Sequence, residues 1–593
     1  MSAKKFFTEF STNTAKCTLC CKIIKTSGNT SNLTSHLKNK HHDAFLKCSK
    51  STTKGERESQ ASIQHLFLGE NRKAKDKNIT DSLIKMICKD NMPVRCVEKE
   101  GLKGFVKTCV PNYKLPSRSK VTNLISEKYT HCMEKLKGYF KDVNHFSFTC
   151  DGVTITNSTR SFLTITVHFL KENQLQSVCL QAARMSQSHT SEYISTLLEG
   201  ACDEFGIETY KRRTLTTDNA KNMIAASRLF LGADNHVPCF AHTINLAVND
   251  SVKNIQSFST VLDKVKRIVM HFKHSSASMD ALRKCQMDEG VPEGRIKTLI
   301  QSVDTRWNSS LDMLNSFVIL AENVAFVLLS RRSSIKSPQM LTLTELNVCR
   351  DFCNVLLPFK DATEKVSGDA YVTVSLVIPM ICMMLKKVKD AKIHSEEGMR
   401  TKETVLEISE ERLKDLLTNK ILIKATMLDP RFKKMYFDSP ILVREVSQTI
   451  LKEMKGSTHE EDMPFFDDEM ELAMHDSIAS SENDSFLNLH NKTIQLHSSE
   501  PDKAEEKEMK LFFSIPNASW QTDPLEFWND QKQTMPNLAA VALACLITPG
   551  SSVASERLAS AIKCVVCDAR SRMTDQHITE RVFLKSLRID FFS

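Results

Sequence analysis

Glycine and proline are scarce in this chain, 16 of each among 593 residues. Few breakers leave room for long helices. No apolar run approaches the ~20 residues that a membrane-spanning helix needs, so no membrane span is expected. The opening MSAKKFFTEFSTNTAKC has no apolar signal core, and secretion is not expected. The 19 cysteines are then expected as reduced thiols, buried or metal-bound, not as a disulfide framework. The length exceeds one compact core and predicts several domains.

Charge is unevenly spread. The chain carries a net +9. Residues 1–75 hold 14 basic and 5 acidic side chains, and the remainder holds 66 of each. The whole excess therefore lies in one N-terminal segment. A basic module on a neutral body is the footprint of a polyanion binder. A solubilising tail is the competing reading.

That segment contains CTLCCKIIKTSGNTSNLTSHLKNKHH, residues 17–42. Two residues between Cys17 and Cys20 let both sulfurs point inward from one turn. His36 and His41 lie about one helical turn apart, so both imidazoles can face the same ion. Four such ligands suit tetrahedral Zn2+. His42 could replace His41, and Cys21 is a spare thiol. A helix is expected from a cap at Asn29 or Thr30, with Leu33 and Leu37 on one face. Lys38 and Lys40 fall toward the other side, where they could meet DNA phosphates, and Asn32 is a further DNA-contact candidate. A structural zinc site without a DNA role remains open.

Phe7 and Phe10 precede Cys17. With SNLTSHLKNKHH they make the segment resemble a BED-type zinc finger, with Phe7 where Trp is usual. BED fingers bind DNA and often front hAT-superfamily transposases and proteins derived from them. The resemblance implies double-stranded DNA as partner and a nuclear location.

Residues 51–78 read as a polar linker. Residues 79–140 read as a small helical domain that resembles the region after the finger in hAT transposases. From 145 the texture changes: HFSFTCDG, SFLTITVHFL and QLQSVCLQA read as strands. A helix (TSEYISTLLEGACDEFGI), a strand (RTLTTD) and a helix (NAKNMIAASRLF) follow. That order predicts an RNase H-like α/β core, its first part over 143–250. Helical patterns over 251–515 predict a large all-α insertion. Residues 460–484 hold ten acids and no Lys or Arg, which predicts a disordered loop over about 458–507.

Asp151 is expected at the end of the first strand and Asp218 at the end of the fourth. Two neighbouring strand tips would bring the carboxylates together, as two-metal phosphoryl transfer requires. Taken singly, each is more often a turn former or cap. The hAT resemblance extends through TTDNAKNMIAA, CFAHTINLAVND (Cys239, His242), VDTRWNSSLDML (Arg306, Trp307) and KATMLDPRFKK. It ends in the C-terminal dimerisation region, 516–593, where Glu556 of SSVASER aligns with the third catalytic acid. The resemblance implies Mg2+ or Mn2+ at Asp151, Asp218 and Glu556, DNA contacts from Arg306 and Trp307, and a homodimer. Cys239 and His242 are too few for a second zinc site. Glu556 with Arg557 could instead be a buried ion pair fixing a helix. Leu538, Val541, Ala542, Cys545 and Leu546 form an apolar helical face, read as core in isolation and as a dimer surface in the family.

Departures are also visible. Val153 stands where the family has Trp, and LASAIKCVV follows SER without the usual Phe and Gly. The fold class expected is therefore multidomain α/β: BED finger, helical domain, interrupted RNase H-like core and dimerisation region. The function expected is a zinc-dependent nuclear DNA-binding protein in transcription regulation, derived from a hAT transposase and without catalysis. An active cut-and-paste transposase and a scaffold for chromatin partners are the alternatives.

Overall fold

The structure, a computed structural model, describes residues 3–8, 14–26, 30–49, 74–155, 160–303, 307–330, 338–456, 504–566 and 573–592. Phe10, Asn29, Arg306, the acidic stretch 460–484 and residues 51–73 of the expected linker lie outside the described residues. Two compact units are present: residues 1–84 with 97–116, and residues 85–96 with 117–593.

In the first unit a three-stranded antiparallel sheet precedes two short helices. Its strands are β1 (Phe7–Thr8), β2 (Thr14–Cys17) and β3 (Ile23–Lys25), in that order. The helices are Ser31–Lys40 and His42–Ser49. Phe7, Ala15, Leu33, Leu37 and Ala44 make a small core. Leu33 and Leu37 are buried, as the helical spacing predicts, while Lys38 and Lys40 are exposed. Thr30 precedes the helix but gives no side-chain cap; its carbonyl instead accepts from the Thr34 hydroxyl.

The second unit contains a five-stranded mixed sheet. Its strands are β4 (Phe146–Ile155), β5 (Arg160–Lys171), β6 (Gln174–Met185), β7 (Arg212–Thr217) and β8 (His236–Pro238). They lie in the order β6-β5-β4-β7-β8. β4, β5 and β6 pair antiparallel, and β4, β7 and β8 pair parallel. Residues alternate across β4, because successive side chains point to opposite faces. Phe148 goes to one face and packs edge-on against Phe230, 5.5 Å away. Ser147 and Thr149 go to the other and meet the segment around Thr548 and Ser555. Helices cover both faces, so β4 and β5 are buried almost throughout.

Between β8 and the helix Val553–Val565, the described residues contain helices and no strand. They share a large apolar core that runs from Val237 to Leu546. Capping side chains start many of these helices; Thr342 and Glu345 form a reciprocal capping box. Among the described residues no single helix is long and apolar enough to cross a membrane.

The Pro536–Leu546 helix takes the first of its two readings, core packing. Its face of Leu538, Val541, Ala542, Cys545 and Leu546 is buried within the chain's own core. Periodicity reports burial, not the identity of the covering surface.

Candidate zinc finger and acid cleft

Cys17 ends β2, Cys20 lies in the turn that follows, His36 is in the Ser31–Lys40 helix and His41 is at its C-terminal end. One ligand atom from each lies within 4.8 Å of all the others. Cys20 Sγ is 3.3 Å from His36 Nε2, and the two imidazoles meet edge to face at 5.3 Å. Phe7 packs edge-on against His36 at 5.9 Å. Burial, followed by His41, Lys22 and Lys40, holds His36 below the ordinary imidazole value. The neutral form this favours is the one that ligates metal. His41 Nε2 is buried without a hydrogen-bond partner. A buried nitrogen left without a partner beside two thiols fits a cation ligand. His42 is exposed and outside the quartet, as is Cys21. Asn32 gives its amide to the Lys25 carbonyl at 2.9 Å, so it ties the helix to β3.

In the second unit, Asp151, Asp218 and Glu556 line one cleft of about 450 Å3. The sheet register explains the first two. Thr149 lies opposite Thr216 across the parallel β4–β7 pair. Two residues further along each chain stand Asp151 and Asp218, which puts both on the side of Ser147 and Thr149. Asp218 follows the end of β7, as expected. Asp151 is not at a strand end: β4 continues to Ile155, paired with β5. Pairing with β5 carries the strand past Asp151, from Gly152 opposite Leu163 to Ile155 opposite Arg160.

Glu556 comes from the first turn of the Val553–Val565 helix. Ser555 fixes that turn to the sheet. Its hydroxyl is 2.7 Å from Thr149 Oγ1 and 3.1 Å from Thr166 Oγ1, and its carbonyl accepts from Thr164. Gly550 anchors the preceding loop, accepting from the Phe240 amide and donating to Thr373 Oγ1. A Cβ there would stand 2.8 Å from the Thr373 carbonyl oxygen. The alternative pairing of Glu556 with Arg557 is not what forms. Arg557 reaches Asp369 at 2.7 Å, while the Ser552 hydroxyl lies 3.5 Å from Glu556 Oε1.

Burial, then Glu556 and Asp218, pushes Asp151 up to about 7, against the pull of the Gly152 amide and Lys563. Three mutually repelling carboxylates on rigid elements offer the hard oxygen donors that divalent ions take. Cys239 lies beneath the cleft, fully buried, and its sulfur accepts from the His242 and Ser552 amides. It is a cap, not a ligand. His242 itself lines the cleft. Trp307 starts a helix, is 8% exposed, and both belongs to the core and lines the cleft.

Asn245, Asn308 and Lys563 also line the cleft and were not found from sequence. Lys563 had a readable signal, since it lies two helical turns after Glu556 on one face. Asn245 and Asn308 had none beyond proximity to His242 and Trp307.

Comparison with known proteins agrees with this geometry. The BED zinc finger family matches residues 2–42, and the hAT family C-terminal dimerisation region matches 508–587. The chain therefore carries a BED zinc finger and a hAT-type dimerisation region, and it is similar to BED zinc-finger proteins and hAT transposases. The ZBED1 RNase-like helical domain matches residues 237–355. The chain is 25% identical over 530 residues to the human Zinc finger BED domain-containing protein 4, covering 86% of this chain and 43% of that protein. It is 26% identical over 524 residues to the Putative AC transposase of Zea mays, covering 83% and 63%. It is 25% identical over 279 residues to the Putative transcriptional regulator tpeD of Talaromyces stipitatus, covering 40% and 31%. The chain thus spans between two fifths and two thirds of the first two relatives' own length.

Proposed function

We propose that this chain is a nuclear, zinc-dependent DNA-binding protein, derived from a hAT transposase and acting as a homodimer in transcription regulation. The observation that carries this reading is the Cys17–Cys20–His36–His41 quartet, set in the segment that holds the chain's whole positive excess. Those four would hold Zn2+, which supplies the cross-link that a core this small cannot replace. Lys38 and Lys40, on the exposed face, would take DNA phosphates; Asn32 would act through the helix it positions. The fungal relative's printed name supports the regulatory role. Selection of random duplexes by the zinc-loaded chain should enrich one motif, and His36→Ala should abolish the enrichment. Binding to chromatin proteins with no enriched DNA would favour the scaffold reading instead.

A second reading, an active DNA transposase, is favoured by the shared cleft of Asp151, Asp218 and Glu556. The strand order and mixed pairing are those an RNase H-like core would have. On this reading residues 143–250 open that core, 251–515 are inserted into it, and the Val553–Val565 helix returns to complete it. The acids would hold Mg2+ or Mn2+, which polarises the phosphoryl oxygens and activates the attacking oxygen. Trp307 would lie against DNA at the cleft. Val153 in place of Trp argues for a site whose support has changed, so the binding reading is preferred. Incubation with Mn2+ and DNA carrying cognate ends separates the two: cleavage abolished by Asp218→Ala would establish the transposase.

A further inference from the structure

The dimerisation region matched at residues 508–587 leaves little apolar surface for a partner. The face of the Pro536–Leu546 helix lies inside the core, so it cannot join two copies. Among the region's described residues, the large apolar side chains left exposed are Leu511 and Trp520. Trp520 is 44% exposed, whereas Trp528 and Trp307 are buried. Its ring is held from one side. Phe432 meets it edge-on at 5.6 Å, and the Arg431 guanidinium lies 5.9 Å from its centre. Arg431 is itself fixed by two hydrogen bonds to the buried Asp429 carboxylate, at 2.7 and 2.9 Å. The Ala518 amide donates to the Pro430 carbonyl, and the Asn517 side chain to the Arg431 carbonyl, so the segment before Trp520 is tied down. The same two stretches of chain build an open groove of about 500 Å3, lined by Lys433, Lys434, Met435, Phe513 and Asn517. Lys433 is buried and donates to the Phe512 and Ile515 carbonyls. Lys434 is exposed, with Nζ 4.0 Å over the Phe513 ring, and Met435 is 62% exposed.

We propose that this knob and groove are the surface through which two copies of the chain pair, the Trp520 ring of each copy entering the groove of the other. A twofold interface uses one patch twice, so the patch must carry both halves of each contact. This one does. It presents a fixed aromatic knob and an open groove with an apolar wall and a cation. The Lys434 ammonium, already over Phe513, would receive the second copy's indole on its free side, and indole is the ring that attracts cations most strongly. A tryptophan held in place before docking is the kind of side chain that anchors interfaces, because little freedom is lost when it binds. One such ring buries about 150–250 Å2, far below the ~2,000 Å2 or more of an obligate dimer. Trp520 is therefore the anchor of a wider contact, which Leu511 and Met435 extend. A different protein is the other occupant this face could take. The match to a dimerisation region and the presence of knob and groove on one patch favour a second copy.

The inference rests on the homodimer reading, and one experiment separates their failures. Sedimentation of the full zinc-loaded chain is followed from nanomolar to micromolar concentration, beside Trp520→Ala and Met435→Glu. Both positions are exposed, and melting curves check the fold. Each substitution should weaken self-association by at least about tenfold, as removal of an interface anchor does. Tryptophan fluorescence gives a second readout. Because Trp307 and Trp528 are buried, acrylamide quenching reports mainly on Trp520. Quenching should fall as the wild-type chain associates, and Met435→Glu should keep it high at the same concentration. A dimer of unchanged strength in either variant, or a wild-type dimer whose quenching does not fall, overturns the surface and leaves the homodimer reading intact. A wild-type chain that stays monomeric at micromolar concentration overturns both.

Discussion

Ser555 Oγ and Thr149 Oγ1 lie 2.7 Å apart, deep between the Val553–Val565 helix and the central strand β4. This contact holds the backbone that carries Glu556 at a fixed height above the sheet. It joins a buried set of hydroxyls that includes Thr166 Oγ1, while Thr149 Oγ1 also meets His168 Nε2 at 3.1 Å.

Ser555→Ala should therefore cost about 1–3 kcal/mol, because it takes a partner from buried hydroxyls that water cannot reach. Denaturant melts at neutral pH read that loss. Mn2+ binding, read by titration calorimetry, should weaken as well, since Glu556 sits on the next residue.

Gly550→Ala should be destabilising by about 1–3 kcal/mol. The new methyl would meet a backbone oxygen, not a flexible side chain. The loop would have to withdraw from Thr373 and Phe240, whose bonds to Gly550 tie the helical region to the sheet. A melting curve equal to the parent's would contradict this.

One zinc per chain is the expected stoichiometry of the finger. His41→Ala should lose the metal, while His42→Ala should keep it. Metal analysis of purified protein decides between the two histidines. Chelation should also remove helicity from the finger, since its buried apolar set is too small to fold alone.

Acid should weaken the second unit. Burial pushes His168 down to about 3 and His236 to about 4, and His145, facing Arg213, to about 4 as well. The folded values lie below the unfolded 6.5, so the neutral forms are the folded forms. Their contribution is present above pH 6.5 and lost as pH falls toward 4 and 3. Asp151 acts in the opposite sense. Its folded value near 7 exceeds the ordinary 3.8, so in metal-free protein its contribution is present below about pH 4 and lost as pH rises through 7. Stability against pH should show both limbs. His168→Gln should flatten the acid limb, and Asp151→Asn the one approaching neutrality.

The sequence by itself determined what short-range geometry determines. Two thiols separated by two residues, then histidines one helical turn apart, converge because the backbone between them has few conformations. The strands around Asp151 and Asp218 were legible because β-branched and aromatic runs separated by polar breaks report their own extension. The buried faces of Leu33/Leu37 and Leu538/Leu546 were legible from helical period. Only the tertiary structure decided what covers those faces, and it covered the second with the chain's own core. It alone carried β4 past Gly152, paired Arg557 with Asp369, and brought Glu556, Lys563 and Asn308 to acids far earlier in the chain. Those outcomes depend on strand register and on packing between distant segments, and a linear pattern encodes neither, because side chains remote in sequence are constrained only once the core between them has closed.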